Sequence, residues 1–157
     1  MAQLTRRALF PLALLPLAAC APQRQPERAG TAPAPAPGNT LEMQRMIRRE
    51  AAALQIPPEL LDHVVRVESG YNPAARNGPY YGLMQIHPDT ARTMGYDGPP
   101  SGLLDPVTNL RVAGRYLRGA WIVANGDMER AYDWYRRGYY YEARDRGLLE
   151  ETGLRRG

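Results

Sequence analysis

Residues 57 to 70 read PPELLDHVVRVESG, and the rest of the chain is best interpreted from this segment. Pro58 suits the first turn of a helix, where the N–H that proline lacks would have no partner in any case. Apolar residues follow at helical spacing, namely Leu60, Leu61, Val64, Val65 and Val67. Gly70 can adopt the left-handed conformation that commonly ends a helix. The segment therefore predicts a helix that ends near Ser69 and carries Glu68 in its last turn.

Glu68 is predicted to project from the apolar side of this helix, because it follows Val64 by four residues and Val65 by three. A carboxyl group there is partly desolvated, and it also lies at the negative end of the helix macrodipole. Both effects raise its pKa. A carboxylic acid that stays protonated near neutral pH can serve as a general acid. Helix geometry alone leaves a second interpretation open, namely an ordinary solvated glutamate at a frayed helix end.

Start and stop signals predict further helices on both sides of this segment. Their expected limits are about Leu41 to Leu54, His87-Pro88-Asp89 to Gly95, Asp105-Pro106 to Asn125-Gly126, and Asp127 to about Arg137. Residues 71–81 and 97–102 are predicted loops, since they are rich in glycine, proline and polar residues. Neither a repeat nor a sheet is predicted. The expected fold is one mainly α domain.

Three short motifs lie in order along the chain. Glu68-Ser69-Gly70-Tyr71-Asn72-Pro73, followed by Gly82-Leu83-Met84-Gln85-Ile86, resembles the first two motifs of lytic transglycosylases with an Slt-type catalytic domain. The residues that resemble the third motif are Asn109-Leu110, Gly114 and Tyr116-Leu117. The likeness spans roughly residues 41 to 138. It implies a mainly α, lysozyme-like single domain, with a groove for strands of alternating N-acetylglucosamine and N-acetylmuramic acid. It implies no metal and no cofactor.

The resemblance implies a mechanism in which one glutamate acts first as acid and then as base, and it assigns that role to Glu68. Protonation of the linking oxygen expels the leaving sugar. The C6 hydroxyl of the muramic unit then attacks its own anomeric carbon and forms a 1,6-anhydro end. Ordinary glycosidases instead use two carboxylates at a defined separation. Asp62 is interpreted as helix surface, and Asp89 and Asp105 as helix caps, so no second catalytic acid is evident.

The resemblance also implies substrate-binding residues. Gln85 would line the groove and hydrogen-bond the sugar, and Asn77 lies where a polar loop residue commonly does the same. The alternative for both is a solvated loop side chain. His87 is predicted to face the groove, although a residue that precedes Pro88 could equally be structural. The spacing of His63 and His87 does not suggest zinc, so no metal site is expected.

The last motif of the family is altered in this chain. It usually reads Ala-Tyr-Asn-X-Gly, whereas a gapless count places Trp134-Tyr135-Arg136-Arg137-Gly138 on it. Tyr135 is therefore assigned as the groove tyrosine, whose hydroxyl would hydrogen-bond Glu68 or the sugar. A second register through Ala131-Tyr132-Asp133 keeps Ala-Tyr but loses the glycine. Arg136 stands in place of the asparagine, and it would lower the pKa of Glu68 if its charge lies close by.

The N-terminal part differs sharply in composition from the rest. Residues 1–19 have the basic start and apolar run of a secretory signal peptide, and the run falls well below the roughly 20 residues of a membrane span. Leu17-Ala18-Ala19-Cys20 resembles the bacterial lipoprotein box, which implies a lipid on Cys20; an unmodified lone cysteine is the alternative. Residues 20–38, rich in alanine and proline, are a predicted tether. The catalytic domain is placed at residues 39–157. Alanine after the cysteine suggests a periplasmic protein anchored to the outer membrane.

Charge and motifs narrow the classes of function. The formal net charge is +4 over 157 residues, the charges are interspersed, and no nucleic-acid-binding motif is present. The expected partners are peptidoglycan strands and a membrane reached through the N-terminal lipid, and no protein partner is indicated. The leading hypothesis is a lytic transglycosylase that cleaves the MurNAc-GlcNAc β-1,4 bond and leaves 1,6-anhydroMurNAc ends. The alternatives are a water-using muramidase and a catalytically inactive glycan-binding or scaffold lipoprotein.

Overall fold

The computed structural model of the protein describes residues 38–155. The predicted signal peptide, the lipid on Cys20 and nearly all of the predicted tether lie outside the described residues. The elements in chain order are α1 (Leu41–Leu54), α2 (Pro58–Ser69), β1 (Arg76–Asn77), β2 (Tyr80–Tyr81), α3 (Pro88–Thr93), a 3₁₀ helix (Pro100–Leu104), α4 (Pro106–Val123), α5 (Met128–Arg137) and α6 (Tyr140–Asp145). The predicted mainly α fold class is confirmed.

The helices begin and end where their capping residues place them. Thr40 Oγ1, Asp105 Oδ1 and Asp127 Oδ1 each accept a hydrogen bond from a backbone N–H in the first turn of α1, α4 and α5. Gly70 ends α2 with φ of 58°, in the left-handed region. The prediction that Asp89 caps a helix is wrong. It lies within the first turn of α3, and His87 Nδ1 accepts the capping hydrogen bond from the Asp89 N–H at 3.1 Å.

Helix α4 forms the centre of the core, and α1 and α5 both pack against it. The buried side of α4 carries Leu110, Ala113, Leu117 and Ala120, all of which are inaccessible to solvent. Gly114 lets α1 approach closely, because a Cβ atom at this position would collide with the side chain of Leu54. Helix α2 packs against both α1 and α5. The core thus fixes the ends of α2 and α5 relative to each other.

Four short elements were not predicted from the sequence. Strands β1 and β2 pair antiparallel, with Arg76 opposite Tyr81 and Asn77 opposite Tyr80. Each has only two residues, too few to show the alternation by which a strand is recognised. The 3₁₀ helix lies partly in a predicted loop, and α6 has six residues and no side-chain cap. Short elements of this kind depend on tertiary packing rather than on local sequence signals.

Candidate active site

A cavity of about 520 Å³ opens where α2, α5, the β1–β2 hairpin and the start of α3 meet. This volume is typical of ligand sites, which measure roughly 300–1,000 Å³. The structure brings together all five residues predicted in the described part of the chain, namely Glu68, Asn77, Gln85, His87 and Tyr135. The cavity is also lined by Tyr80, Ile86, Thr90, Tyr116, Arg136, Arg137 and Gly138.

Glu68 lies half-buried in the last turn of α2, as its helical spacing predicted. Burial disfavours the charged carboxylate and raises the pKa of Glu68. The hydrogen bond from Tyr132 and the positive charge of Arg136 oppose this effect, and burial outweighs both. Among the described residues that line the cavity, Glu68 is the one carboxylic acid. The arrangement therefore favours a single carboxyl group that keeps its proton to a higher pH than an ordinary glutamate does.

The tyrosine that contacts Glu68 is Tyr132 rather than Tyr135. The Tyr132 hydroxyl donates to Glu68 Oε1 at 3.1 Å, and its ring packs edge-on against His63 with centroids 4.9 Å apart. Tyr135 instead donates its buried hydroxyl to the Met84 carbonyl oxygen at 2.7 Å. Of the two partners predicted for the Tyr135 hydroxyl, Glu68 or the sugar, Glu68 is thus not bonded to it in this structure. The second alignment of the last motif, through Ala131-Tyr132-Asp133, therefore contains the tyrosine that bonds Glu68, while Tyr135 supports the cavity wall.

Arg136 lies close enough to Glu68 to affect its pKa. The lowering of this pKa by Arg136, which the sequence suggested, is present. Its guanidinium group lies 5.7 Å from the centre of the Tyr132 ring, whose hydroxyl bonds Glu68. Its charge lowers the pKa of Glu68. Burial thus favours the neutral carboxyl group, and the cation favours the carboxylate.

The buried amide of Asn109 holds the wall segment at Met84, next to the lining residues Gln85 and Ile86. Its Oδ1 accepts from the Met84 N–H at 2.9 Å, and its Nδ2 donates to the carbonyl oxygens of Tyr81 at 2.9 Å and Leu103 at 2.8 Å. Gly82 fits beneath this amide with φ of 73°, and a Cβ atom there would collide with the Asn109 side chain and the Leu103 carbonyl. The sequence singled out Asn109 as part of a motif but did not reveal this bracing role.

Gln85 combines a structural and a cavity-lining position. Its backbone has φ of 46°, in the left-handed region, and its Nε2 donates to the carbonyl oxygens of Ala75 and Gly82 at 3.2 and 2.9 Å. These bonds join the turn after β2 to the segment before β1. The side chain is therefore held in place rather than solvated, with its Oε1 left for a ligand. Asn77 in β1 is exposed at the rim of the same cavity.

His87 satisfies both interpretations that the sequence left open. Its Nδ1 accepts the capping bond of α3, which is a structural role. Its ring lines the cavity and packs edge-on against Tyr80, with centroids 5.8 Å apart. Since Nδ1 accepts a hydrogen bond, Nε2 is the nitrogen that a ligand could meet.

Two further observations concern residues 38–155 alone. No group of three or more His, Cys, Asp or Glu side chains in this part of the chain could hold a metal ion. No helix within the same residues is long and apolar enough to cross a membrane.

The chain is similar to proteins of one family. The family model described as the transglycosylase SLT domain matches residues 45–146. Endo-type membrane-bound lytic murein transglycosylase A from two strains of Klebsiella pneumoniae, ATCC 700721 / MGH 78578 and 342, is 35% identical over 89 residues. The alignment covers 51% of this chain and 42% of those relatives, so the match spans less than half of their length.

A solved structure also resembles this one. The 70 kDa soluble lytic transglycosylase SLT70 from Escherichia coli superposes with a TM-score of 0.56 and 27% sequence identity, covering 69% of this chain and 18% of that chain. The lysozyme-like character predicted for the fold is thereby confirmed. With the family model covering most of the described residues, the chain belongs to the transglycosylase SLT domain family.

Proposed function

We propose that the protein is a peptidoglycan lytic transglycosylase that cleaves the MurNAc-GlcNAc β-1,4 bond with Glu68 as its acid and base. The observation that carries the proposal is the half-buried Glu68 carboxyl, whose pKa is raised, in a cavity where no other described lining residue is a carboxylic acid. The names of the Klebsiella and Escherichia relatives, a lytic murein transglycosylase and a lytic transglycosylase, support the same reaction.

The reaction needs one proton donor that later becomes a proton acceptor. Protonated Glu68 gives its proton to the glycosidic oxygen as the bond to the anomeric carbon breaks. The carboxylate that results takes the proton of the C6 hydroxyl of the muramic unit, whose oxygen bonds to the anomeric carbon. The carboxyl group is regenerated, and the product ends in a 1,6-anhydro ring. No water is consumed.

The other acidic residues are placed for different tasks, which supports a mechanism with a single carboxyl. Asp62 accepts hydrogen bonds from the Tyr71 hydroxyl at 3.1 Å and from Gln44 at 2.6 Å, so it joins α1 to the end of α2. Asp105 caps α4. Asp133 lies in a neighbouring pocket together with Arg136 and Arg137. Two-carboxylate glycosidases hold the second group across the scissile bond from the first.

The remaining predicted residues would bind the glycan. Gln85 offers its Oε1, Asn77 its amide, and His87 its Nε2 to sugar hydroxyl and acetamido groups. Tyr135 contributes its ring to the wall, because its hydroxyl is committed to Met84. These assignments concern substrate contact and do not involve proton transfer.

Product analysis tests the proposal against a water-using muramidase and an inactive glycan-binding lipoprotein. Purified sacculi digested with the protein should release muropeptides that end in anhydro-muramic acid, as measured by mass spectrometry. Hydrolysis would add one water to each product, so purely reducing ends would contradict the proposed chemistry. Binding without any release would indicate the inactive protein.

Tyr132→Phe should shift the pH dependence of kcat/KM. The Tyr132 hydrogen bond lowers the pKa of Glu68, so its loss raises that pKa further. A general acid must be protonated, and activity is lost as pH rises through its pKa. The alkaline limb of the profile should therefore move to higher pH, while kcat falls about two- to tenfold from the lost hydrogen bond.

The control for this change is Tyr140→Phe, which removes an exposed hydroxyl from α6, outside the lining of the cavity. Its profile should match that of the wild-type protein. A limb that stays in place in Tyr132→Phe would show that this hydroxyl does not influence the acid, and a limb that moves to lower pH would contradict the direction of the effect.

We also propose that the protein is held at the periplasmic face of the outer membrane by a lipid on Cys20. The support is the sequence Leu17-Ala18-Ala19-Cys20 and the words "membrane-bound" in the names of the Klebsiella relatives. The mass of the mature N-terminal peptide should show a diacylglyceryl cysteine. A Cys20→Ser protein that is still recovered only with membranes would contradict the proposal.

A further inference from the structure

Arg136 and Arg137 occupy a position that the proposed mechanism does not explain. They are consecutive residues in the last turn of α5, and both are exposed. Both line the cavity that contains Glu68, and both also line a neighbouring pocket of about 270 Å³ that contains Asp133. Two cations therefore form the boundary between the two spaces.

Neither arginine has an acidic partner among residues 38–155, since no carboxylate lies within ion-pair distance of either guanidinium. Asp133 stands four residues before Arg137, a spacing at which acid and base commonly pair on a helix. The Arg137 guanidinium instead lies 4.0 Å from the centre of the Trp134 ring. Arg136 lies 5.7 Å from that of Tyr132.

Stacking on aromatic rings leaves these guanidinium groups ready for a ligand. A planar guanidinium over a ring is held in orientation, while the N–H donors at its edge remain available. Carboxylates are the groups that match this fork of donors in two parallel hydrogen bonds. The neighbouring pocket is lined by one carboxylate, Asp133, and the two arginines, so its net charge is positive. When Glu68 is protonated, it adds no negative charge to the cavity.

We propose that Arg136 and Arg137 form a carboxylate-binding site for the acidic substituent of the muramic unit. This inference rests on the proposed function. The glycan backbone would lie in the larger cavity with its scissile bond at Glu68, and the substituent would pass over the arginines toward the neighbouring pocket. Two sources share this chemistry, the lactyl carboxylate of a muramic unit that carries no peptide and the acidic residues of a peptide joined to the lactyl group by an amide.

Chemical removal of the substrate charge provides the test. Soluble glycan strands are compared with the same strands after carbodiimide and ammonia have converted their carboxyl groups to amides. The proteins are the wild type, Arg136→Gln, Arg137→Gln, the double variant, and Arg144→Gln as control. Arg144 also stacks on a ring, 5.0 Å from the centre of Tyr141, but lines neither space.

On intact strands the double variant should lose about tenfold in kcat/KM, mainly through KM, because exposed charge-assisted hydrogen bonds are worth about that much. On amidated strands the kcat/KM of the wild type should fall by a similar factor, and the arginine variants should have the same kcat/KM as the wild type on these strands. Arg144→Gln should behave as the wild type on both. Arginine variants that are impaired equally on both substrates, or on neither, would overturn the inference.

Binding measurements separate this inference from the proposed function. If the wild type releases no product from any strand, the proposed function fails. In that case the affinities of the two proteins for the two kinds of strand still test the arginines. Recognition of carboxylates requires that the wild type bind intact strands more tightly than amidated strands, and that the double variant bind both equally. Two kinds of strand identify the source, because the lactyl carboxyl is free on peptide-free strands and forms an amide on peptide-bearing strands. Dependence on the arginines that occurs only with peptide-free strands indicates the lactyl carboxylate, and dependence that occurs only with peptide-bearing strands indicates the acids of the peptide.

Discussion

Glu68→Gln should lower the rate of muropeptide release from purified sacculi by at least about a hundredfold. The amide keeps the size of the side chain and can still pair with the Tyr132 hydroxyl, but it has no proton to give to the glycosidic oxygen. General acid catalysis is typically worth 10²- to 10⁴-fold, and the same group here is needed again as the base. Release of soluble products, separated and identified by mass spectrometry, measures the loss.

The matched control is Glu59→Gln, in the first turn of the same helix and exposed to solvent. It makes the same substitution at the opposite end of α2 and should leave release unchanged. Glu68→Gln should still bind sacculi and should unfold at a temperature close to that of the wild type. Undiminished release by Glu68→Gln would refute the assignment of the acid.

Asn109→Ala should lower the free energy of unfolding by about 3–5 kcal/mol. The substitution removes three hydrogen bonds from a fully buried position and leaves one N–H and two carbonyl groups without this partner. Each unpaired buried group costs about 1–3 kcal/mol, and the costs of neighbours are not additive. Urea denaturation followed by circular dichroism would measure the change.

The comparison for Asn109 is Asn72→Ala, which removes an exposed asparagine whose side chain bonds only the nearby Ala74 N–H. That loss should cost about 1 kcal/mol or less. Activity should also fall in Asn109→Ala under conditions where the protein remains folded, because Met84 and Gln85 lose their support. A loss of stability no larger than that of Asn72→Ala would show that Asn109 is not the brace of this wall.

The sequence predicted the long helices well because their signals are local. Capping residues such as Thr40, Asp105 and Asp127 act within one turn, and apolar periodicity extends over several. Glu68 was also placed correctly, since its position relative to Val64 and Val65 depends only on the geometry of α2. Signals of this kind do not require knowledge of the tertiary fold.

The contacts across the site could not be predicted in the same way. Tyr132 and Tyr135 stand three residues apart on α5 and lie near each other on its surface, so matching a motif cannot decide which hydroxyl reaches Glu68. That choice depends on how α5 is rotated against α2. The three bonds of Asn109 likewise join segments that only tertiary folding brings together. The two-residue strands lacked a pattern long enough to detect.

The hydrogen bond from Tyr132 to Glu68 joins residues 64 positions apart, and that from Tyr135 to Met84 spans 51. During synthesis, a nascent chain that has produced α2 and the segment up to Ile86 therefore contains the acid but has only part of its surroundings. The hydroxyl, the arginines and the wall tyrosine all belong to α5, which follows that segment later in the chain. Catalytic competence should thus appear in one late step of folding, and partly synthesised chains should remain inert toward the glycan.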